Sequence, residues 1–145
     1  MIQLFTIGYT HKSAELFFSI MDMNGIDNLI DVRLNNVSQL TGFTKMNDFK
    51  FFLKKISNVN YYHLPYLAPT KEILNAYRKK EIGWNEYEEK FITLMKERKI
   101  EKKINLDILH NVCLLCSEES ADKCHRRLVA EYLKTFFNEI VIKHI

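Results

Sequence analysis

The chain has 145 residues, 47% of them apolar and 27% charged, which suits one packed domain and excludes a disordered chain. Lysine and arginine number 21 against 18 acidic residues, and a net charge of +3 excludes the dense positive field of a nucleic-acid coat. No apolar run reaches the roughly 18 residues of a membrane span, and residues 1–6 lack the basic region and cleavage site of an export leader. With three cysteines and no leader, a disulfide scaffold is not expected and a reduced, cytoplasmic setting is.

In chain order, a first strand is predicted over 3–8, apolar except for Gln3 and Thr6. Ser13 then caps a helix carrying Leu16, Phe17, Ile20 and Met23, and Gly25 stands where a left-handed C-cap is wanted. A second strand, 28–32, leads into Asp31-Val32-Arg33. Asn47 is placed to cap a helix with Phe49, Phe52, Leu53 and Ile56 on one side, and a third strand follows over 59–64. The charged stretch 71–103 has helical spacing, with Leu74, Tyr77, Tyr87, Phe91 and Leu94 as its apolar side and Gly83 as a break. It reads as a solvated arm. Strand 111–116, a helix over about 121–137 with His125, Val129, Tyr132, Leu133 and Phe136 in one stripe, and strand 140–144 complete the chain.

Apolar strands alternating with helices predict an α/β fold: a single three-layer domain over 1–145, with a mainly parallel sheet of about five strands and helices on both faces. Ligands of such sheets bind at the carboxyl ends of the strands. Those ends carry Gly8-Tyr9-Thr10-His11, Asp31-Val32-Arg33, His63-Leu64-Pro65 and Cys116-Ser117-Glu118-Glu119, with Cys124-His125-Arg126-Arg127 opening the last helix.

Cys113, Cys116, Cys124 and His125 superficially offer four zinc ligands. Residues three apart on a strand face opposite ways, so Cys113 and Cys116 are expected to diverge, and Cys113 reads as a buried apolar residue. Cys116 closes its strand before a loop and a helix N-terminus, where a thiol is activated by the helix dipole and a histidine. The acidic loop works against that activation, and packing at the core edge is the rival reading. Cys116 and Cys124 also stand where a redox pair is conceivable. An arginine six residues after the cysteine, as a phosphatase cradle needs, is absent, since that position is Asp122. His125 serves acid–base chemistry or bonds a strand carbonyl or Asp31. Arg126 at a helix start violates the dipole preference and is expected to hold an anion, as is Arg33 unless Asp31 pairs with it. His63, among Tyr61 and Tyr62, stacks on a base or packs the sheet.

These residues give the chain a resemblance to an uncharacterised prokaryotic family, domain of unknown function 488, over essentially its whole length. The resemblance is carried by Thr6-Ile7-Gly8-Tyr9-Thr10, Gly25-Ile26, Asp31-Val32-Arg33, Tyr62-His63-Leu64-Pro65, Leu114-Leu115-Cys116-Ser117-Glu118, Cys124-His125-Arg126 and residues 141–145. By that likeness, Gly8, Asp31, Arg33, Cys116, Glu118, Cys124, His125 and Arg126 match the family's characteristic polar positions. Members often carry His-Ser at Tyr9-Thr10, and a proline and an arginine in the loop that here reads Leu34-Asn35-Asn36-Val37-Ser38-Gln39, so a contact made by that arginine is missing.

The reading that results is a small enzyme acting on an anionic, nucleotide- or nucleic-acid-like substrate. Arg33 and Arg126 anchor the anion, Asp31 and His125 form an oriented acid–base pair, Cys116 is nucleophile or redox partner, and Glu118 tunes His125 or the substrate. Gly8, Tyr9, Thr10, His63 and Cys124 support them. No cofactor, resident metal or membrane contact is expected. The alternatives are a noncatalytic nucleotide- or nucleic-acid-binding module and a zinc-stapled structural domain.

Overall fold

Five strands, β1 (Ile2–Gly8), β2 (Asn28–Asp31), β3 (Asn60–His63), β4 (Val112–Cys116) and β5 (Ile140–His144), form a wholly parallel sheet in the order β3-β2-β4-β1-β5. The coordinates are a computed structural model that describes residues 1–36 and 39–145, for 39–41 the backbone alone, so the middle of the 34–39 loop lies outside the described residues. The central strands β2 and β4 are buried along their whole length, which explains the unbroken apolar sequence of β4 and the apolar Leu29-Ile30 centre of β2, flanked by the buried polar Asn28 and Asp31.

Alternate residues of each strand feed two cores. Phe5, Ile7, Leu29, Cys113 and Leu115 pack under α1 (Ala14–Met23) and α2 (Met46–Ser57), where Phe17, Phe49 and Leu53 are buried. Leu4, Ile30, Val112, Leu114 and Cys116 face the other way, toward the helices of the second half of the chain. These are α3 (Lys71–Arg78), α4 (Trp84–Arg98), the short α5 (Ile100–Lys103) and α6 (His125–Phe136). Cys113 and Cys116 therefore lie on opposite faces of the sheet, as their spacing predicts.

Three boundaries differ from expectation. The second helix starts at Met46 with Lys45 at its cap, and no side chain caps it, so Asn47 lies inside the first turn. The charged stretch breaks twice: Gly83 caps α4, and Lys99 takes a left-handed turn (φ 54°) that carries the buried Ile100 back into the core. The last helix begins only at His125, because the chain from Ser117 to Cys124 is held as a loop by bonds described below.

The architecture fixes where a ligand must sit. From β1 the chain goes through α1 toward one edge of the sheet, and from the adjacent β4 through α6 toward the opposite edge. The carboxyl ends of β1 and β4 thus flank the point at which the winding reverses, the crevice where open α/β sheets bind their ligands.

Candidate active site

The loop after β4 is built against the end of β1. Gly8 lies in register with Cys116, and a Cβ on it would run into the carbonyl oxygen of Glu118, so this close approach of two backbones requires glycine. The Tyr9 N–H donates to the Cys116 carbonyl at 3.3 Å, the Thr10 N–H to the Ser117 carbonyl at 3.2 Å, and the Thr10 hydroxyl to that same carbonyl. From beneath, Arg126 donates to the carbonyls of Glu118 at 2.6 Å and Glu119 at 3.2 Å.

Those bonds correct one expectation. Arg126 is 1% exposed, and its guanidinium is engaged with loop carbonyls rather than open to a ligand in the cleft. No carboxylate pairs with it among the described residues. A buried cation bonded only to neutral carbonyls favours an anion nearby, and its charge acts on the Cys116 thiol.

Cys116, Cys124 and His125 converge at the head of the loop. The Cys116 Sγ lies 3.6 Å from Nδ1 of His125. Nε2 of His125 is 2.6 Å from the carbonyl oxygen of Val32, an atom that only accepts, so this nitrogen carries the proton and Nδ1 is left facing the sulfur. Phe91 packs edge-on against the imidazole at 5.6 Å. The Cys116 thiol is held below the ordinary thiol value, first by the hydrogen bond from Cys124, and further by the N–H groups of Ser117 and Glu118 and the charge of Arg126, which together outweigh its burial. Cys124 moves the opposite way. Donating to Cys116 pushes its own thiol up, and burial adds to this. Burial also pushes up Cys113, which takes no part in the cluster.

Asp31 does not reach His125, which corrects the expected acid–base pair. Its fully buried carboxylate accepts from Arg33 Nε at 2.8 Å and Nη2 at 2.7 Å, from the Arg33 N–H at 3.1 Å and from the Tyr61 hydroxyl at 2.6 Å. Arg33 also donates to the Thr44 hydroxyl at 2.9 Å and the Thr44 carbonyl at 2.7 Å, and lies 5.3 Å from the centre of the Tyr9 ring. Burial alone would lower the Arg33 pKa, and the Asp31 carboxylate reverses that and raises it. The arginine expected to anchor an anion is therefore paired within the protein, where it fixes the turn after β2. His63 bonds the Arg33 carbonyl at 2.8 Å and belongs to the same scaffold. Glu118 lends its backbone to Cys116 and Arg126. Its side chain is exposed at the rim, and among the described residues no hydrogen bond or ion pair joins it to His125.

Above the sulfurs opens a cleft of about 410 Å³ whose lining includes Cys116, Cys124 and His125. Much of its remaining wall comes from the stretch read as a solvated arm, with Arg33 to Asn35 and Lys123 completing it. Lys71, Arg78 and Lys123 line it, with Tyr77, Trp84 and Tyr87 as an aromatic side, Trp84 stacked on Tyr87 at 5.2 Å and Tyr77 4.8 Å from Tyr87. No ion pair among the described residues takes up those three cations. The sequence reasoning missed them. The signal was present in Trp84-x2-Tyr87 with Tyr77, an aromatic cluster in a stretch otherwise too charged to need one.

The same geometry bears on metals. Cys116, Cys124 and His125 offer three ligand atoms within 4.8 Å of one another, a set that suits a soft cation with one open position. Cys113, on the other face of the sheet, is not in it, so the four-ligand staple weighed from the sequence does not assemble.

A family profile described as domain of unknown function DUF488 matches residues 13–133. The chain belongs to this family. The match takes in Asp31, Arg33, His63, Cys116, Glu118, Cys124, His125 and Arg126, and leaves out the Gly8-Tyr9-Thr10 strand end and β5, so it is shorter than the whole-length resemblance expected. No curated protein and no solved structure is significantly similar to the chain.

Proposed function

We propose that this family member is a cysteine-dependent enzyme acting on a small anionic substrate with a planar, nucleotide-sized body. The observation that carries this reading is Cys116: a thiol at the floor of a cationic cleft, stabilised as thiolate by Cys124 and two backbone N–H groups, with an imidazole nitrogen 3.6 Å away. The thiolate is the nucleophile, and His125 Nδ1 takes up and returns the proton. Lys71, Arg78 and Lys123 hold the anionic end, and Trp84 with Tyr77 offers a face on which a planar group stacks.

Alkylation of Cys116 tests the reading. The thiol reacts with iodoacetamide at pH 7 faster than an ordinary cysteine, an adenine nucleotide slows that reaction by occupying the cleft, and Arg78→Glu with Lys123→Glu abolishes the protection. A thiol that reacts only above the ordinary pKa of roughly 8.5, in a protein that still binds the nucleotide, instead favours the noncatalytic binding module.

A further inference from the structure

We infer that Cys116 and Cys124 are the attacking and resolving thiols of a dithiol–disulfide couple, and that the cleft takes a small anionic disulfide as its substrate. The inference rests on the reading of Cys116 as the reactive thiol and assigns Cys124 a step of its own.

Two independent observations place Cys124 in that role. Cys124 holds the N-cap of α6, where Ser, Thr, Asp or Asn would satisfy a free helix N–H, and its side chain makes no capping bond. The side chain instead lies beside Cys116: the two sulfurs and a ring nitrogen of His125 are within 4.8 Å of one another, and all three residues line the same cleft. A capping position has thus been given up to set one sulfur against another across a seven-residue loop. That loop is clamped at its start by β1 and Arg126, so the two sulfurs meet as part of the native fold.

The chemistry balances as follows. The Cys116 thiolate attacks one sulfur of the substrate R–S–S–R, forming the Cys116–S–S–R bond and expelling R–S⁻. Cys124 then loses its proton to His125 Nδ1, and its thiolate attacks Cys116 Sγ, breaking the mixed disulfide and expelling the second R–S⁻. The substrate disulfide is reduced to two thiolates, the two protein thiols are oxidised to one disulfide, and an external dithiol restores them. The three cations of the cleft fit a substrate with carboxylates, and Trp84 and Tyr77 fit an aromatic one.

The probe is 5,5′-dithiobis(2-nitrobenzoate), an aromatic anionic disulfide that releases a coloured thiolate. The reduced native protein is expected to release two equivalents, the second following the first without added thiol, and to end as an intramolecular disulfide between the peptides bearing Cys116 and Cys124, with no probe attached. Cys124→Ala is expected to release one equivalent and keep the probe on Cys116, and Cys113→Ser to behave as the native protein. Mass spectrometry of the oxidised native protein reads the result even if Cys124→Ala fails to fold. A native protein that stops at one equivalent and retains the probe overturns the resolving role and leaves the reactive Cys116 standing. Release of no equivalent overturns both this inference and the proposed function.

Discussion

The Nε2–H of His125 donates a hydrogen bond to the carbonyl of Val32 at 2.6 Å, tying the first residue of α6 to the chain just past β2. His125→Ala leaves that carbonyl without its partner and removes the ring from Phe91. A buried acceptor left unsatisfied costs about 1–3 kcal/mol, so the urea midpoint falls, and the alkylation rate of Cys116 at pH 7 changes with it. His125→Gln, which keeps a donor, recovers part of the stability and none of the acid–base function.

Cys124→Ala raises the Cys116 pKa, because it removes the first-ranking group that stabilises the thiolate. A hydrogen bond to a charged acceptor is worth about 1.5–3 kcal/mol. The alkylation profile of Cys116 therefore moves to higher pH, and the rate at pH 7 drops roughly tenfold or more, since each 1.4 kcal/mol is a factor of about ten. A profile that stays in place removes Cys124 from the thiolate's environment.

Asp31→Asn breaks a fully buried ion pair on which Arg33, Tyr61 and Asn36 all converge. Removing one partner of such a pair costs about 3–5 kcal/mol, read as a lower urea midpoint with loosening of the turn that Arg33 ties to Thr44. Stability unchanged within about 0.5 kcal/mol, the range of an ordinary surface substitution, contradicts the structural role given to the pair.

Alkaline pH destabilises the fold. Cys113 and Tyr87 are pushed up by burial, and Cys124 by its bond to Cys116 and then by burial. Each is an acid whose folded pKa exceeds its unfolded one, so its contribution is complete below the unfolded value and is lost as pH rises above it, from about 8.5 for thiols and about 10 for tyrosine. Cys116 has the opposite sign. Its contribution is present above the unfolded thiol pKa and lost as pH falls through its depressed folded value. Thermal melts between pH 8 and pH 11 are expected to show Tm falling, and Cys113→Ala to fall less relative to its own value at pH 8.

The sheet was legible because β4 is buried on both faces and carries unbroken apolar sequence, with Leu29-Ile30 at the centre of β2, and the Ser13 cap was legible because its hydroxyl accepts from Leu16 N at 3.1 Å. The separation of Cys113 from Cys116 followed from strand periodicity alone. Arg126 was misread: a cation at a helix N-terminus breaks the dipole rule, but what satisfies it here is a pair of backbone carbonyls, and backbone acceptors leave no trace in the residue types. Asp31 and Arg33 were read as partners or as ligand groups, and only the side-chain geometry decides for partners. The cleft wall escaped because Lys71, Arg78 and Trp84 lie on helices whose charge hides an inward aromatic edge.

The sulfur-bearing loop, which also carries Lys123, and the wall of Lys71, Arg78 and the aromatic rings come from separate stretches, 116–125 and 71–87, joined only through the folded core. Bond-making and molecular choice are thereby uncoupled along the gene. Change in the α3–α4 hairpin would alter which anion is admitted while the reacting atoms stay where they are, a layout by which one chemistry can diversify across descendants of a single ancestor.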